Sequence, residues 1–229
     1  MPGHVPVADG AASPENVRSV RPDCRPRASH AGTLNAIVVR RLRGGRLPAR
    51  MPEMSAALIL TGAPGSGKSS VLDALGTLLE IDEMAFGALE SEELARGWPW
   101  LSTADWLSQL AAVIALQRHA GRDLFLVAAT TETQLELQGV IDALAVDRVL
   151  VICLTAPPDL VAERITRREP DAWPGKDPLV VHARELADSI PAISGIDAVL
   201  NTDGRAATDV AADVRDLLRD HDLLPTEPR

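Results

Sequence analysis

The sequence predicts a three-layer α/β domain built on a parallel sheet, and three observations carry that prediction. Short apolar runs recur at 57–61, 84–89, 124–129, 148–154 and 198–201, and each has strand length. Segments of helical spacing separate them, and parallel strands require such crossovers. Leu124-Phe125-Leu126-Val127-Ala128-Ala129 is apolar without alternation, the pattern of a strand covered on both faces.

The elements follow in order. Ala57-Leu58-Ile59-Leu60 opens the first strand, and a helix is expected over about 67–80. Ile81-Asp82-Glu83 links it to the second strand, after which Ser91 is expected to cap a short helix carrying Glu92 and Glu93 in its first turn. Gly97-Trp98-Pro99-Trp100 breaks that helix. Ser102 or Thr103 starts a long one, through Trp106, Leu110 and Ile114 to about His119, and Gly121 ends it. A helix over 132–144 follows the third strand, and one from Pro158 to Arg168 follows the fourth. A Pro/Gly/Trp-containing loop at 169–177 leads to a helix over 178–189, then the fifth strand and a last helix over 208–219.

Between the first strand and first helix stands Gly62-Ala63-Pro64-Gly65-Ser66-Gly67-Lys68-Ser69. Strand before and helix after make this a phosphate-binding loop. Glycines let the backbone turn sharply and bring amides close to an anion, which also meets the positive end of the helix dipole. Ser70 continues the helix start beside the same anion. Lys68 supplies a charge for β- and γ-phosphates, and the Ser69 hydroxyl is the candidate Mg²⁺ ligand. The motif predicts a nucleoside triphosphate as ligand.

Charge divides near residue 53. Residues 1–53 hold nine arginines against four acids, whereas the whole chain has a formal net charge of −9. The first segment is rich in Pro, Gly, Ser and Arg and is expected to be mostly disordered; Met51 or Met54 is a candidate functional start. Residues 54–224 are expected to form the folded domain and 225–229 a tail. The acidic body argues against nucleic acid as partner. No apolar run reaches the roughly 18 residues of a membrane span. The two cysteines, Cys24 and Cys153, lack metal-ligand or redox spacing. A reducing, cytoplasmic setting is expected, with the protein a monomer or homodimer.

An acid near the end of the second strand would orient or deprotonate an attacking hydroxyl. Asp82 and Glu90 compete for this role. Glu90 is favoured, because it follows the strand at the carboxyl edge, where ligands bind in open α/β sheets. The alternative is that Glu90 only complements a helix N-terminus. Arg164 and Arg168 lie one turn apart and share a helix face, suited to phosphate or base contacts; the alternative is a solvated face balanced by Glu163 and Glu169. Asn201-Thr202-Asp203-Gly204 turns from the fifth strand into the last helix.

Gly62–Ser69, Arg164-x-x-x-Arg168 and Asn201-Thr202-Asp203-Gly204 together resemble the P-loop small-molecule kinases. That group includes nucleoside monophosphate, shikimate, gluconate and adenylylsulfate kinases and chloramphenicol phosphotransferases. The resemblance covers about residues 56–220 and implies a five-stranded parallel sheet in order 2-3-1-4-5 with a lid around 165–177. It implies Arg164 near the adenine, Arg168 on the phosphates, and Asp203 and Gly204 in the loop beside the base. One departure is the third strand's end, Ala129-Thr130-Thr131-Glu132, which lacks the aspartate many P-loop enzymes use for Mg²⁺. Glu132 is a substitute, or Ser69 and Glu90 suffice through water.

The acceptor pocket is expected between the second strand and the long helix, near Arg96, Trp98, Trp100 and Trp106, whose rings either stack on an acceptor or pack in the core. Lys176 and Trp173 fall in the lid, with Lys176 expected to be solvated. The activity expected is ATP- and Mg²⁺-dependent phosphoryl transfer to a hydroxyl or phosphate of a small-molecule acceptor. The alternatives are an NTP-hydrolysing switch, for which no Asn-Lys-x-Asp signature exists, and a non-catalytic ATP-binding protein.

Overall fold

Ala56–Thr61 (β1) is buried at every position, because it is the middle strand of a parallel sheet covered on both faces. The computed structural model describes residues 54–224, so the expectations for 1–53 and 225–229 lie outside the described residues. The remaining strands are β2 (Phe86–Glu90), β3 (Leu124–Ala128), β4 (Arg148–Thr155) and β5 (Ala198–Asn201). Their order is β2-β3-β1-β4-β5 and every pairing is parallel. Leu58 pairs in register with Leu126 on one side and Leu150 on the other.

Alternation along β1 assigns its side chains to two cores. Ala56, Leu58 and Leu60 join Val71, Leu72, Leu75 and Leu79 of α1 (Lys68–Ile81) and Val210, Ala211, Val214 and Leu218 of α7 (Ala207–Asp220). Ala57 and Ile59 face Leu110 and Ile114 of α3 (Thr103–His119) and Leu137, Val140 and Leu144 of α4 (Gln134–Leu144). A short helix, α2 (Ser91–Leu94), follows β2, while α5 (Pro158–Arg168) and α6 (Lys176–Ser189) pack against each other after β4. Among the described residues, no helix is long and apolar enough to cross a membrane.

Local chemistry sets the helix starts. The Ser102 hydroxyl accepts the Asp105 amide at 3.1 Å, capping α3, and Gly121 follows that helix in the left-handed conformation. Thr133 caps α4 by accepting the Glu136 amide at 3.2 Å, so this helix starts two residues later than the sequence suggests. Helix α6 starts earlier than expected, at Lys176, because Pro178 is tolerated in a first turn whose amides need no helical partner. Ser91 is not a cap: Glu90 occupies that position, and Ser91 is buried within α2.

Candidate active site

The loop after β1 is held by backbone packed directly on backbone. Gly62 has φ +137°, and a Cβ there would lie 2.3 Å from the Leu154 carbonyl oxygen of β4 and 2.9 Å from Ser66 Oγ. Gly65, at φ +83°, would put a Cβ 2.7 Å from the Val161 carbonyl oxygen of α5. Only glycine fits these two turns. Ala63 and Ser66 are buried, Pro64, Gly67, Lys68 and Ser69 are half-buried, and Ser70 is exposed at the start of α1. Ser66 Oγ is buried with no hydrogen-bond partner. An orphaned hydroxyl beside a cradle that a single methyl group would obstruct fits a polyphosphate acceptor of hydrogen bonds.

Lys68 Nζ donates to the Gly62 carbonyl oxygen at 2.8 Å and the Ala63 carbonyl oxygen at 3.2 Å. Burial lowers its pKa below the ordinary lysine value; Glu92 and Glu90 oppose that shift, and Arg168 adds to it. Glu92, Arg168 and Glu90 thus lie within electrostatic reach of the Lys68 ammonium. Glu92 is fixed there by the Thr130 amide, which donates to its Oε1 at 2.6 Å and ties α2 to the segment after β3. Arg168, at the end of α5, donates through Nε to Glu169 at 2.6 Å. Phosphate oxygens would compete with that carboxylate for the guanidinium. Among the described residues, no group of three or more His, Cys, Asp or Glu side chains could hold a metal ion. Ser69, half-buried at the start of α1, is the residue that would hold Mg²⁺.

No protein-family model matches the chain, and no curated protein sequence matches it. Solved structures do resemble it. An APS kinase from Mycobacterium tuberculosis, solved with AMPPNP and APS, is 20% identical with a TM-score of 0.51, covering 73% of this chain and 99% of that one. A gluconokinase from Sinorhizobium meliloti is 18% identical with a TM-score of 0.50, covering 73% and 98%. A sugar kinase from Janibacter is 18% identical with a TM-score of 0.50, covering 71% and 95%. The fold is that of the P-loop small-molecule kinases.

Within this kinase fold the other expected residues fall as follows. Arg164 lies behind the loop, donating through Nη1 to the Gly65 carbonyl oxygen at 3.1 Å and to Thr202 Oγ1 at 3.0 Å. Its Nη2 donates to the Thr202 carbonyl oxygen at 3.1 Å. The Asp203 amide donates to Asn201 Oδ1 at 3.0 Å, and Gly204 is left-handed at φ +65°, which makes the turn after β5. Asp82 sits at the other end of α1, ion-paired to Arg219 at 3.3 Å and Arg215 at 3.7 Å. A helix of this length puts it about 20 Å from Lys68, outside the site. Glu132 Oε1 meets His182 Nε2 at 3.0 Å, so α6 engages that carboxylate.

Where the acceptor pocket was expected, Trp98 and Trp100 are exposed, edge to face with ring centroids 6.4 Å apart. Arg96 pairs with Glu93 at 2.8 Å. Trp106 is structural, donating its indole N–H to the Ser91 carbonyl oxygen at 2.8 Å. Lys176 differs from the solvated lysine expected: its side chain is 9% exposed and bound to Asp171 at 2.7 Å. Trp173 lies so close over Gly175 that a Cβ there would come within 2.5 Å of the ring.

Sequence reasoning missed Glu92 and His182. Glu92 was legible only as a first-turn acid, since its contact with Thr130 spans 38 residues. His182 has no ligand spacing, and its contact with Glu132 spans 50 residues.

Proposed function

We propose that this protein transfers the γ-phosphoryl group of ATP, with Mg²⁺, to a hydroxyl or phosphate of a small molecule. The observation that supports this most strongly is the phosphate loop itself, where Gly62 and Gly65 pack on the β4 and α5 backbones, the buried Ser66 hydroxyl has no partner and Lys68 Nζ donates to the Gly62 carbonyl oxygen at 2.8 Å. The loop amides and Lys68 would hold the polyphosphate in line with the acceptor. Glu90 would take the acceptor proton as the acceptor oxygen bonds to phosphorus and the bond to the bridging oxygen of ADP breaks. Lys68 and Arg168 would neutralise charge gathering on the transferred group. Ser69 would hold Mg²⁺, which would supply further neutralisation of the transferred group. The acceptor enters from the side of Trp98 and Trp100, whose rings suit a planar or sugar-like molecule. The setting is cytoplasmic.

ADP release measured with and without a panel of metabolites tests the assignment. A kinase releases ADP only with an acceptor, a hydrolase releases it without one, and a nucleotide sensor releases none. Replacing Glu90 by Gln is expected to lower turnover at least about a hundredfold while leaving ATP affinity nearly unchanged. Unchanged turnover in that variant, with loss in Glu92→Gln, transfers the role to Glu92.

A further inference from the structure

The resemblance to P-loop kinases implies an adenine contact for Arg164, but its hydrogen bonds lead elsewhere. All three named above run to the phosphate loop or to Thr202, at 3.0–3.1 Å. Thr202 is 4% exposed, and its hydroxyl also lies 2.9 Å from the Ser66 carbonyl oxygen and 3.1 Å from that of Thr155. Four segments therefore converge on one hydroxyl and one guanidinium: the phosphate loop, the end of β4, the middle of α5 and the turn after β5.

The geometry points to Arg164 and Thr202 as a brace that presets the phosphate loop, with Arg164 positioning the polyphosphate through its N–H edge. This rests on the polyphosphate reading given above. The mechanism is peptide planarity. In a trans peptide the carbonyl and the following N–H point in opposite directions. Holding the Ser66 carbonyl oxygen on the Thr202 side thus turns the Gly67 N–H the other way. Holding the Gly65 carbonyl oxygen likewise orients the Ser66 N–H, which donates to the Ala63 carbonyl oxygen at 3.0 Å inside the turn. Two consecutive peptide planes are fixed before any ligand arrives, so binding spends less ordering entropy on the loop. Arginine suits the task because its planar fork reaches several oxygens at once, which a lysine ammonium on a flexible stem does not.

Calorimetric titration with ATP and with inorganic tripolyphosphate, which has no base, separates the two roles. Thr202→Val, close in shape and lacking the hydroxyl, is expected to weaken both ligands by the same factor, about tenfold. Arg164→Lys, which keeps the charge and loses the fork, is expected to do the same. The double variant should fall short of the product of the two single effects, because both remove one network. Hydrogen exchange at Gly67 should quicken in each variant, while thermal melting shows that the domain still folds. Weakened ATP binding with tripolyphosphate unaffected assigns Arg164 to the base and overturns the brace. So does unchanged affinity for both ligands. A wild-type protein that binds neither ligand removes the polyphosphate reading itself, and the brace with it.

Discussion

Gly62→Ala places a methyl group where the β4 backbone already stands. The new Cβ would lie 2.3 Å from the Leu154 carbonyl oxygen and 3.2 Å from its carbonyl carbon, at φ +137°. The dihedral alone costs on the order of 1–3 kcal/mol for a residue with a side chain. Leu154 is buried in the central sheet and cannot swing aside, so part of the clash adds to that cost. A total of about 3–5 kcal/mol is expected, within the range of severe single substitutions. For a domain of this size that lowers the melting temperature by about 6–20 °C. Gly204→Ala is the control: φ is +65° and nothing lies within 4 Å of the added Cβ, so only about 1 kcal/mol of backbone strain remains. Thermal unfolding of both variants, with ATP titration of each, makes the comparison. A Gly62→Ala protein that melts within about 2 °C of wild type and binds ATP equally well would refute the packing argument.

Two further outcomes follow from the site. Lys68→Ala should lower turnover at least about a hundredfold, because it removes the loop's one ammonium from the transferred phosphoryl group; steady-state ADP release measures it, and near-normal activity contradicts the assignment. Cys153 is buried, and burial pushes its thiol up to about 11, with Lys68 opposing. An unfolded thiol ionises near pH 9, so between about 9 and 11 the unfolded chain binds fewer protons than the native one. Stability should then fall by up to about 1.4 kcal/mol per pH unit from this group. Denaturant midpoints in a Cys24→Ser background, compared with the same background carrying Cys153→Ala, isolate the term. Identical pH slopes above 9 would count against it.

The strands were legible because burial on both faces leaves uninterrupted apolar runs, as at 124–129. The phosphate loop was legible because its glycines, lysine and serine stand in a contiguous eight-residue pattern between a strand and a helix, although the packing on Leu154 and Val161 that demands glycine at 62 and 65 is tertiary. Strand order was not readable from those runs, since pairing Leu58 with both Leu126 and Leu150 is a tertiary fact; the family resemblance supplied it. Glu90 was favoured for its expected place after a strand, and it is the last residue of β2. Glu92 was missed because an exposed acid in a first helical turn already has a local explanation. Arg164 was found for its spacing from Arg168, yet its partners at Gly65 and Thr202 lie 99 and 38 residues away in sequence. Asp82 competed with Glu90 until the length of α1 carried it to the opposite end of the sheet.

Among the described residues, the strand that launches the phosphate loop is made first and waits longest for both of its neighbours. Its two neighbours begin at residues 124 and 148, so during synthesis the six residues Ala56–Thr61 emerge long before either flank exists. Until β4 clears the ribosome, one side of that ribbon offers bare amides and carbonyls next to sticky aliphatic chains. Chaperone capture, or clumping of stalled nascent chains, should therefore depend on this hexapeptide more than on any later part of the domain.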